Sequence, residues 1–386
     1  MLYRKLGKTN EKVSALGFGC MRLPVIDGDP TKIDDEKAIK MVRHSIDEGV
    51  NYIDTAYPYH GTGMTEGGES EPFVARALKD GYREKVNIAT KLPSWNIRTR
   101  EDMDKYLNEQ LERLQTDTID FYLVHGLNKG GWENLKNLGI DEFLNSAIKD
   151  GRIRYAGFSF HDDLDVFKEI VDYYDWSFCQ IQYNYLDENF QAGTEGLKYA
   201  ADKGLGVVIM EPLRGGRLVA DLPEEVTKTF EKAEMKKSPV DWALRWVWNH
   251  PEVSVVLSGM NVMEHIDENL RIASVASPNS LTEKELEIMD TVKNIYAAKT
   301  KVNCTGCQYC MPCPMGVNIP KNFAHYNKYH MLVTPETEGN LKMFYNAFVD
   351  ASEKADKCVE CGKCEKHCPQ GIKIRQELKN VKELFL

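Results

Sequence analysis

The chain has 386 residues, with 49 Lys and Arg against 59 Asp and Glu for a formal net charge of −10. That balance argues against nucleic acid as a partner. No apolar run approaches the ~18 residues of a membrane span, and no charged-then-apolar leader pattern opens the chain. The length suits one large domain plus a small one.

The opening segments Leu2–Leu6 and Lys12–Ser14, around Gly7-Lys8-Thr9-Asn10, read as a hairpin capping the bottom of a larger strand-and-helix domain. Short apolar, β-rich runs then recur at Ala15–Gly19, Asn51–Asp54, Val86–Thr90, Ile119–Val124, Tyr155–Phe158, Ser177–Gln182, Gly206–Met210 and Val253–Leu257. Helical patterns lie between them, among them Glu36–Glu48, Glu71–Asp80, Glu101–Leu114, Leu164–Tyr173, Glu195–Lys203 and Pro239–Asn249. Several stop at a glycine, as at Gly49, Gly81, Gly151 and Gly204. Eight near-continuous apolar strands separated by helices over ~250 residues predict an α/β fold, a (β/α)8 barrel rather than an open doubly wound sheet. No G-x-G-x-x-G follows a strand and opens a helix, which counts against a Rossmann domain. Residues 1–280 are assigned to the barrel and 281–300, rich in Glu and Lys at helical spacing, to a connecting helix. Residues 301–386 are assigned to a small, mainly helical domain with helix-like stretches at Asn322–Tyr329 and Lys342–Ser352.

Eight of the ten cysteines fall in that last segment, in two tight runs. Cys304, Cys307, Cys310 and Cys313 form C-x2-C-x2-C-x2-C-P, and Cys358, Cys361, Cys364 and Cys368 form C-x2-C-x2-C-x3-C-P. Spacings of two place successive thiolates around one small cubic object, and a proline after the last cysteine completes the signature of bacterial ferredoxins with two [4Fe–4S] clusters. In that pattern the fourth cysteine of each run ligates the other run's cluster. One cluster then takes Cys304, Cys307, Cys310 and Cys368, and the other takes Cys358, Cys361, Cys364 and Cys313. The first run is one residue short before Cys313, which leaves that ligand open. Structural zinc, which also uses C-x2-C pairs, and disulfides are the alternatives. Thiolates that must stay reduced until iron arrives point to a reducing cytoplasm. Cys20 and Cys179 are isolated in apolar segments and read as small buried hydrophobes.

Active sites of such barrels sit at the C-terminal ends of the strands. Those positions hold Asp54, Lys91 and His125 after the second, third and fourth predicted strands, with Tyr59 five residues beyond Asp54. A carboxylate, an amine, an imidazole and a phenol converging there form an acid–base assembly. A phenol is a poor donor at neutral pH. An adjacent ammonium held by a carboxylate lowers its pKa. The tyrosine can then protonate a developing alkoxide, or deprotonate an alcohol in reverse. Singly, each residue has a plain structural reading, as a helix cap, a surface charge or a satisfied histidine. The loop aromatics Tyr57, Trp95, Trp132, Tyr183 and Tyr185 either line an apolar pocket or pack.

The stretch Asp54-Thr55-Ala56-Tyr57-Pro58-Tyr59, with Ile88-Ala89-Thr90-Lys91 and Asp120-Phe121-Tyr122-Leu123-Val124-His125, resembles the aldo-keto reductase superfamily. Gly151-Arg152-Ile153-Arg154-Tyr155-Ala156-Gly157-Phe158-Ser159, Glu211-Pro212-Leu213-Arg214-Gly215-Gly216 and Glu268-Asn269 extend the match over residues 1–275. With the cysteine segment, the chain is similar to the branch carrying a C-terminal ferredoxin-like extension. The resemblance implies hydride transfer between a nicotinamide cofactor, NADP or NAD, and a small carbonyl or alcohol substrate. It implies Tyr59 as general acid, Lys91 and Asp54 as its partners, and His125 as the residue orienting the carbonyl. It implies that Ser159 and Gln180 hold the nicotinamide carboxamide. Met210 stands where many members stack an aromatic ring, and Phe160 where many carry asparagine. Pro212, Leu213, Arg214, Arg217, Glu268 and Asn269 fall on cofactor-contact segments, and Gly259, Met260 and His265 stand where many members place Lys, Ser and Arg on the 2′-phosphate.

A hydride carries two electrons and each cluster one, and no motif for a group that splits the pair is present. Three readings stay open for the tail: structural support, electron exchange with a redox partner protein, or a redox-sensing module whose barrel binds a nucleotide or ligand with little turnover.

Overall fold

A computed structural model describes residues 1–386 apart from 64, 217, 221, 303, 305–309 and 369–370. The chain divides into two compact units, residues 1–215 with 240–281, and residues 216–239 with 282–386.

In the first unit, β1 (Tyr3–Lys5) and β2 (Lys12–Ser14) pair antiparallel, Tyr3 opposite Ser14. The strands β3 (Leu16–Gly19), β4 (Tyr52–Asp54), β5 (Asn87–Leu92), β6 (Ile119–Leu127), β7 (Ile153–Phe160), β8 (Phe178–Gln182), β9 (Gly206–Met210) and β10 (Val253–Ser258) come next in the chain. They close into one barrel in chain order, β10 pairing with β3, and every pairing is parallel. This is the (β/α)8 barrel the strand pattern predicts.

The interior is a packed core. Tyr52, Ala89, Phe121, Leu123, Phe178, Val208, Val255 and Leu257 fill it, and Leu6 and Val13 of the hairpin join the same cluster. The hairpin therefore plugs the barrel, because its two apolar side chains have no other place to leave water. Phe121 is the hub, stacked on Tyr52 at 5.3 Å and Tyr155 at 5.5 Å and edge-on to Phe178 at 5.3 Å. Burying each such ring is worth about 1.5–3 kcal/mol. Gly157 makes room for one of them: a Cβ there would lie 2.5 Å from the Phe178 ring.

The helices start where local chemistry satisfies their free N–H groups. The Asp34 side chain accepts from Lys37 N ahead of Asp35–Asp47, and a Thr99/Asp102 capping box opens Arg100–Leu114. Gly49, Gly81, Gly151 and Gly204, the predicted stops, all adopt positive φ. Strand ends run further than the sequence pattern suggests. The third barrel strand reaches Leu92, and the fourth continues to Leu127 past a register shift after Val124. Lys91 and His125 thus lie within strands rather than just after them.

The second unit is helical among its described residues: Glu224–Phe230, Glu283–Ala298, Ile319–Leu332, Glu338–Phe348 and Ile374–Phe385. Asn322 is fully buried and fully used. Its amide donates to Asn318 O (2.7 Å) and Glu353 O (2.8 Å), and its oxygen accepts from the Tyr345 hydroxyl (2.7 Å). Tyr345 in turn stacks on Phe385 at 4.2 Å, tying the last helix to the two before it. No helix among the described residues is long and apolar enough to cross a membrane.

Candidate active site

Strand register brings the first two predicted residues together. Asp54 ends β4 opposite Ala89 of β5, and Lys91 lies two residues beyond Ala89. The Lys91 ammonium, its side chain 0% exposed, donates to both Asp54 carboxylate oxygens at 2.8 Å and to the Thr55 carbonyl at 2.7 Å. The loop after β4 turns tightly, Tyr59 N donating to Ala56 O (3.1 Å), and returns the phenol over the strand ends. The ammonium sits 5.0 Å from the Tyr59 ring centre and acts on the phenol through its charge. The His125 ring stands edge-on to Tyr59 at 6.2 Å and against Trp95 at 4.9 Å. Ser94 Oγ donates to the His125 carbonyl at 2.6 Å, holding that strand end. All four residues converge.

Their protonation follows from burial. Burial pushes the His125 imidazole well below its ordinary value, helped by Lys91 and then His161, so the ring is neutral at pH 7. Its Nδ1 is buried with no hydrogen-bond partner among the described residues. Burial opposes charge on Lys91, but Asp54 and Tyr59 outweigh it and the ammonium is held protonated. Tyr59 departs from the sequence expectation. Burial raises its phenol, Lys91 pulls it back down, and the net direction is upward rather than downward. The expectation counted the ammonium and missed the desolvation.

The remaining predicted contacts form an arc along the neighbouring strand ends. Ser159 on β7 pairs with Gln180 on β8, and Gln182 pairs with Met210 on β9. Ser159 Oγ accepts from Gly126 N at 2.7 Å, Gln180 Nε2 reaches Met210 Sδ at 3.5 Å, and Gln180 Oε1 is buried without a partner among the described residues. An unused buried acceptor beside a serine hydroxyl fits a carboxamide. Arg214 is not a free loop arginine, since its Nη2 is pinned 3.3 Å from Asp187, while its Nη1 is buried and has no partner among the described residues. Pro212 is buried and Leu213 partly so. Met260 is 1% exposed, and Asn269 donates to Ser258 Oγ at 2.9 Å, so both are built into the wall. Gly259 and His265 are exposed and Glu268 is half-buried. Arg217 lies outside the described residues. Of the loop aromatics, Tyr57, Trp132, Tyr183 and Tyr185 are buried in the core, and Trp95 lies tilted against the His125 ring.

Sequence reasoning missed Ser70, Glu71 and Gln110, polar side chains fully buried behind Lys91. It also missed His161, whose Nδ1 lies 3.3 Å from Gln191 Nε2 and whose charge reaches His125. A polar residue at a predicted helix's buried edge was the available signal for the first three; for His161, its position at a strand end.

Of the eight clustered cysteines, Cys307 lies outside the described residues, and the other seven form no disulfide among the described residues. The second run has cluster-like surroundings. Glu360 N donates to Cys358 Sγ at 3.4 Å, and the backbone turns there through positive φ at Glu360 and Gly362. Burial raises the Cys364 thiol, and Cys358 lies near enough for its charge to add to that. Among the described residues no three His, Cys, Asp or Glu side chains converge on a single-ion site. A run of C-x2-C thiolates with a backbone N–H aimed at the Cys358 sulfur fits an iron–sulfur cluster.

The Aldo/keto reductase family model matches residues 15–294, and a 4Fe-4S dicluster domain model matches residues 303–372. The chain is similar to L-galactose dehydrogenase of Arabidopsis thaliana, 30% identical over 317 residues, covering 76% of this chain and 95% of that one. It is 26% identical to the aldo-keto reductase YhdN of Bacillus subtilis over 300 residues, 67% and 85% of the two chains. Among solved structures, the holo form of aldo-keto reductase AKR11C1 from Bacillus halodurans superposes with a TM-score of 0.62 at 27% identity, covering 76% and 96%. The thermostable aldo-keto reductase Tm1743, bound to the inhibitor epalrestat, gives 0.61 at 27% identity, covering 76% and 100%. With its closed parallel barrel and the four side chains at its strand ends, the chain belongs to the aldo/keto reductase family of oxidoreductases and carries a C-terminal 4Fe-4S dicluster domain.

Proposed function

We propose that the barrel reduces a small carbonyl compound, or oxidises the corresponding alcohol, with NADP(H) or NAD(H). The observation that carries this reading is the Lys91 ammonium, anchored on Asp54 and acting on the Tyr59 hydroxyl. When bound, the nicotinamide supplies the hydride for the carbonyl carbon. Tyr59, protonated at neutral pH, donates its proton to the carbonyl oxygen, and Lys91 stabilises the phenolate left behind. Neutral His125 cannot be the acid. Its neutral ring beside Tyr59 suits it to orient the carbonyl. Ser159 and Gln180 hold the carboxamide, Met210 packs on the ring, and Arg214 takes a phosphate oxygen. Pro212, Leu213, Gly259, Met260, His265, Glu268 and Asn269 complete the nucleotide groove.

The same reading divides the chain chemically into residues 1–280 for the barrel, 281–300 for a helix and 301–386 for the cluster domain. Cys304, Cys307, Cys310 and Cys368 would hold one [4Fe–4S] cluster, and Cys358, Cys361, Cys364 and Cys313 the other. Such clusters supply either a structural core or one-electron exchange with a partner protein. A reducing cytoplasm suits their thiolates. The likeness to a sugar dehydrogenase makes hydroxylated aldehydes and their alcohols the first substrates to assay. The test is a screen of carbonyls and alcohols with both nicotinamides on anaerobically purified holoprotein. Turnover with either cofactor is expected; none across the aldehyde, ketone and alcohol classes would overturn the reading.

A further inference from the structure

Lys91 is held from two sides by consecutive residues of one helix, Ser70–Ala77. Ser70 Oγ bonds Thr55 Oγ1 (2.8 Å) and the Cys20 carbonyl (3.0 Å). Thr55 is the residue whose carbonyl accepts from the Lys91 ammonium. On the other side, Glu71 Oε1 accepts from Thr90 Oγ1 and Gln110 Nε2, both at 2.6 Å, and Oε2 accepts from Arg113 Nε at 2.8 Å. Gln110 Nε2 also donates to the Lys91 carbonyl at 3.0 Å, and Gln110 Oε1 accepts from the Tyr122 hydroxyl at 2.8 Å. Ser70, Glu71, Thr90 and Gln110 are 0% exposed.

A buried carboxylate is costly unless fully bonded, and this one is. General adhesion would not require its bonds to end on one residue. Here the bonds of the two neighbours reach Lys91 twice, those of Glu71 at its backbone through Gln110 and those of Ser70 at the acceptor of its ammonium through Thr55. An ammonium has three protons. The two Asp54 oxygens and the Thr55 carbonyl take all three, so the ammonium acts on Tyr59 through its charge, 5.0 Å from the ring centre, and a shift of either support would move that charge.

We propose that Ser70 and Glu71 are a positioning pair that fixes the Lys91 ammonium against the Tyr59 hydroxyl. The proposal deepens the reading of Tyr59 as proton donor and rests on it. Besides Lys91, the groups facing the phenol are Asp54, Cys20 and the neutral His125 ring. Ser70→Ala and Thr90→Val disturb one support each without changing the local charge, and Thr90→Ser keeps the hydroxyl.

The experiment places 3-fluorotyrosine at position 59 of the full-length holoprotein and follows its titration by fluorine NMR, which needs no substrate. In Ser70→Ala and Thr90→Val the phenol should titrate at least about half a unit higher, because a misaligned ammonium stabilises the phenolate less. Thr90→Ser should stay with the parent. With an unlabelled chain, kcat should fall about 10- to 100-fold, the cost of misplacing a reacting group by about 1 Å, with nicotinamide affinity within about twofold. A lower melting temperature with the titration unmoved, or moved downward, would make the pair merely structural and overturn the proposal. Full turnover in Tyr59→Phe would instead remove the proton-donor reading, a separate outcome. Glu71→Gln strands Arg113 and risks misfolding, so the two neutral variants decide.

Discussion

The Lys91 ammonium lies 2.8 Å from both carboxylate oxygens of Asp54, with the two side chains 0% and 4% exposed. An ion pair this dry is held by mutual need, and removing one partner leaves a buried charge with nothing to neutralise it. Asp54→Asn should therefore destabilise the barrel by about 3–5 kcal/mol. Asp54 is also the main support for the charged form of Lys91, so turnover should fall beyond what stability alone explains. Denaturant unfolding and steady-state rates on the same preparation check this. An unchanged midpoint would mean that water reaches the pair.

Tyr59→Phe deletes one oxygen and leaves the ring against His125. Turnover should drop at least about 10²-fold, the lower range for general acid catalysis. Nicotinamide affinity should barely change, since Ser159, Gln180 and Arg214 are untouched. Fluorescence titration with both nicotinamides beside a rate assay separates the two effects. Equal losses in both would point to a collapsed site rather than a missing proton.

The pH dependence has a definite sign. In reduction Tyr59 must be protonated, and its phenol is pushed above the ordinary value of 10.0, chiefly by burial. The reduction rate should stay flat through neutral pH and decline only on the alkaline side, whereas alcohol oxidation, which needs the phenolate, should rise with pH. Stability runs the other way at the acid end. His125, His60 and His250 are all pushed below the ordinary imidazole value by burial. Below about pH 6.5 the unfolded chain binds protons that the native state refuses, so stability is full above that pH and falls beneath it. Each such histidine contributes up to about 1.4 kcal/mol per pH unit. Melting temperatures from pH 8 to pH 5 should trace this decline, and His125→Asn should flatten part of it.

The barrel was legible in the sequence because parallel strands are covered on both faces and read as continuous apolar runs, as Gly206–Met210 and Val253–Ser258 do. The tetrad was legible because strand ends project to one face, so three unrelated polar residues at or near the ends of three neighbouring strands meet there. The second layer was hidden. Glu71 touches Gln110 across 39 residues, and no local period connects them. On its own helix Ser70-Glu71 looks like an ordinary N-terminal turn. The direction of the Tyr59 shift was also out of reach, because it depends on how dry the pocket is, a property of the closed barrel. The same limit applied to Trp132, Tyr183 and Tyr185, which alternate into the core rather than toward a ligand.

The cysteine tail makes a prediction about which ligand belongs to which cluster. If the runs exchange their last cysteines, Cys368 completes the cluster of Cys304, Cys307 and Cys310 although Cys364 is its nearest cysteine in sequence. Cys368→Ala should then perturb the first-run cluster and leave the one on Cys358, Cys361 and Cys364 with native signals. Fully reconstituted anaerobic protein should hold about eight irons per chain. Because each cluster draws ligands from runs about fifty residues apart, iron loading and folding of this unit should be linked, so far-ultraviolet ellipticity of the tail should rise as iron is added. Iron and sulfide analysis with low-temperature magnetic resonance reads the first two claims. Loss confined to the Cys358 cluster would assign Cys368 to its own run, and zinc in place of iron would remove the cluster reading altogether.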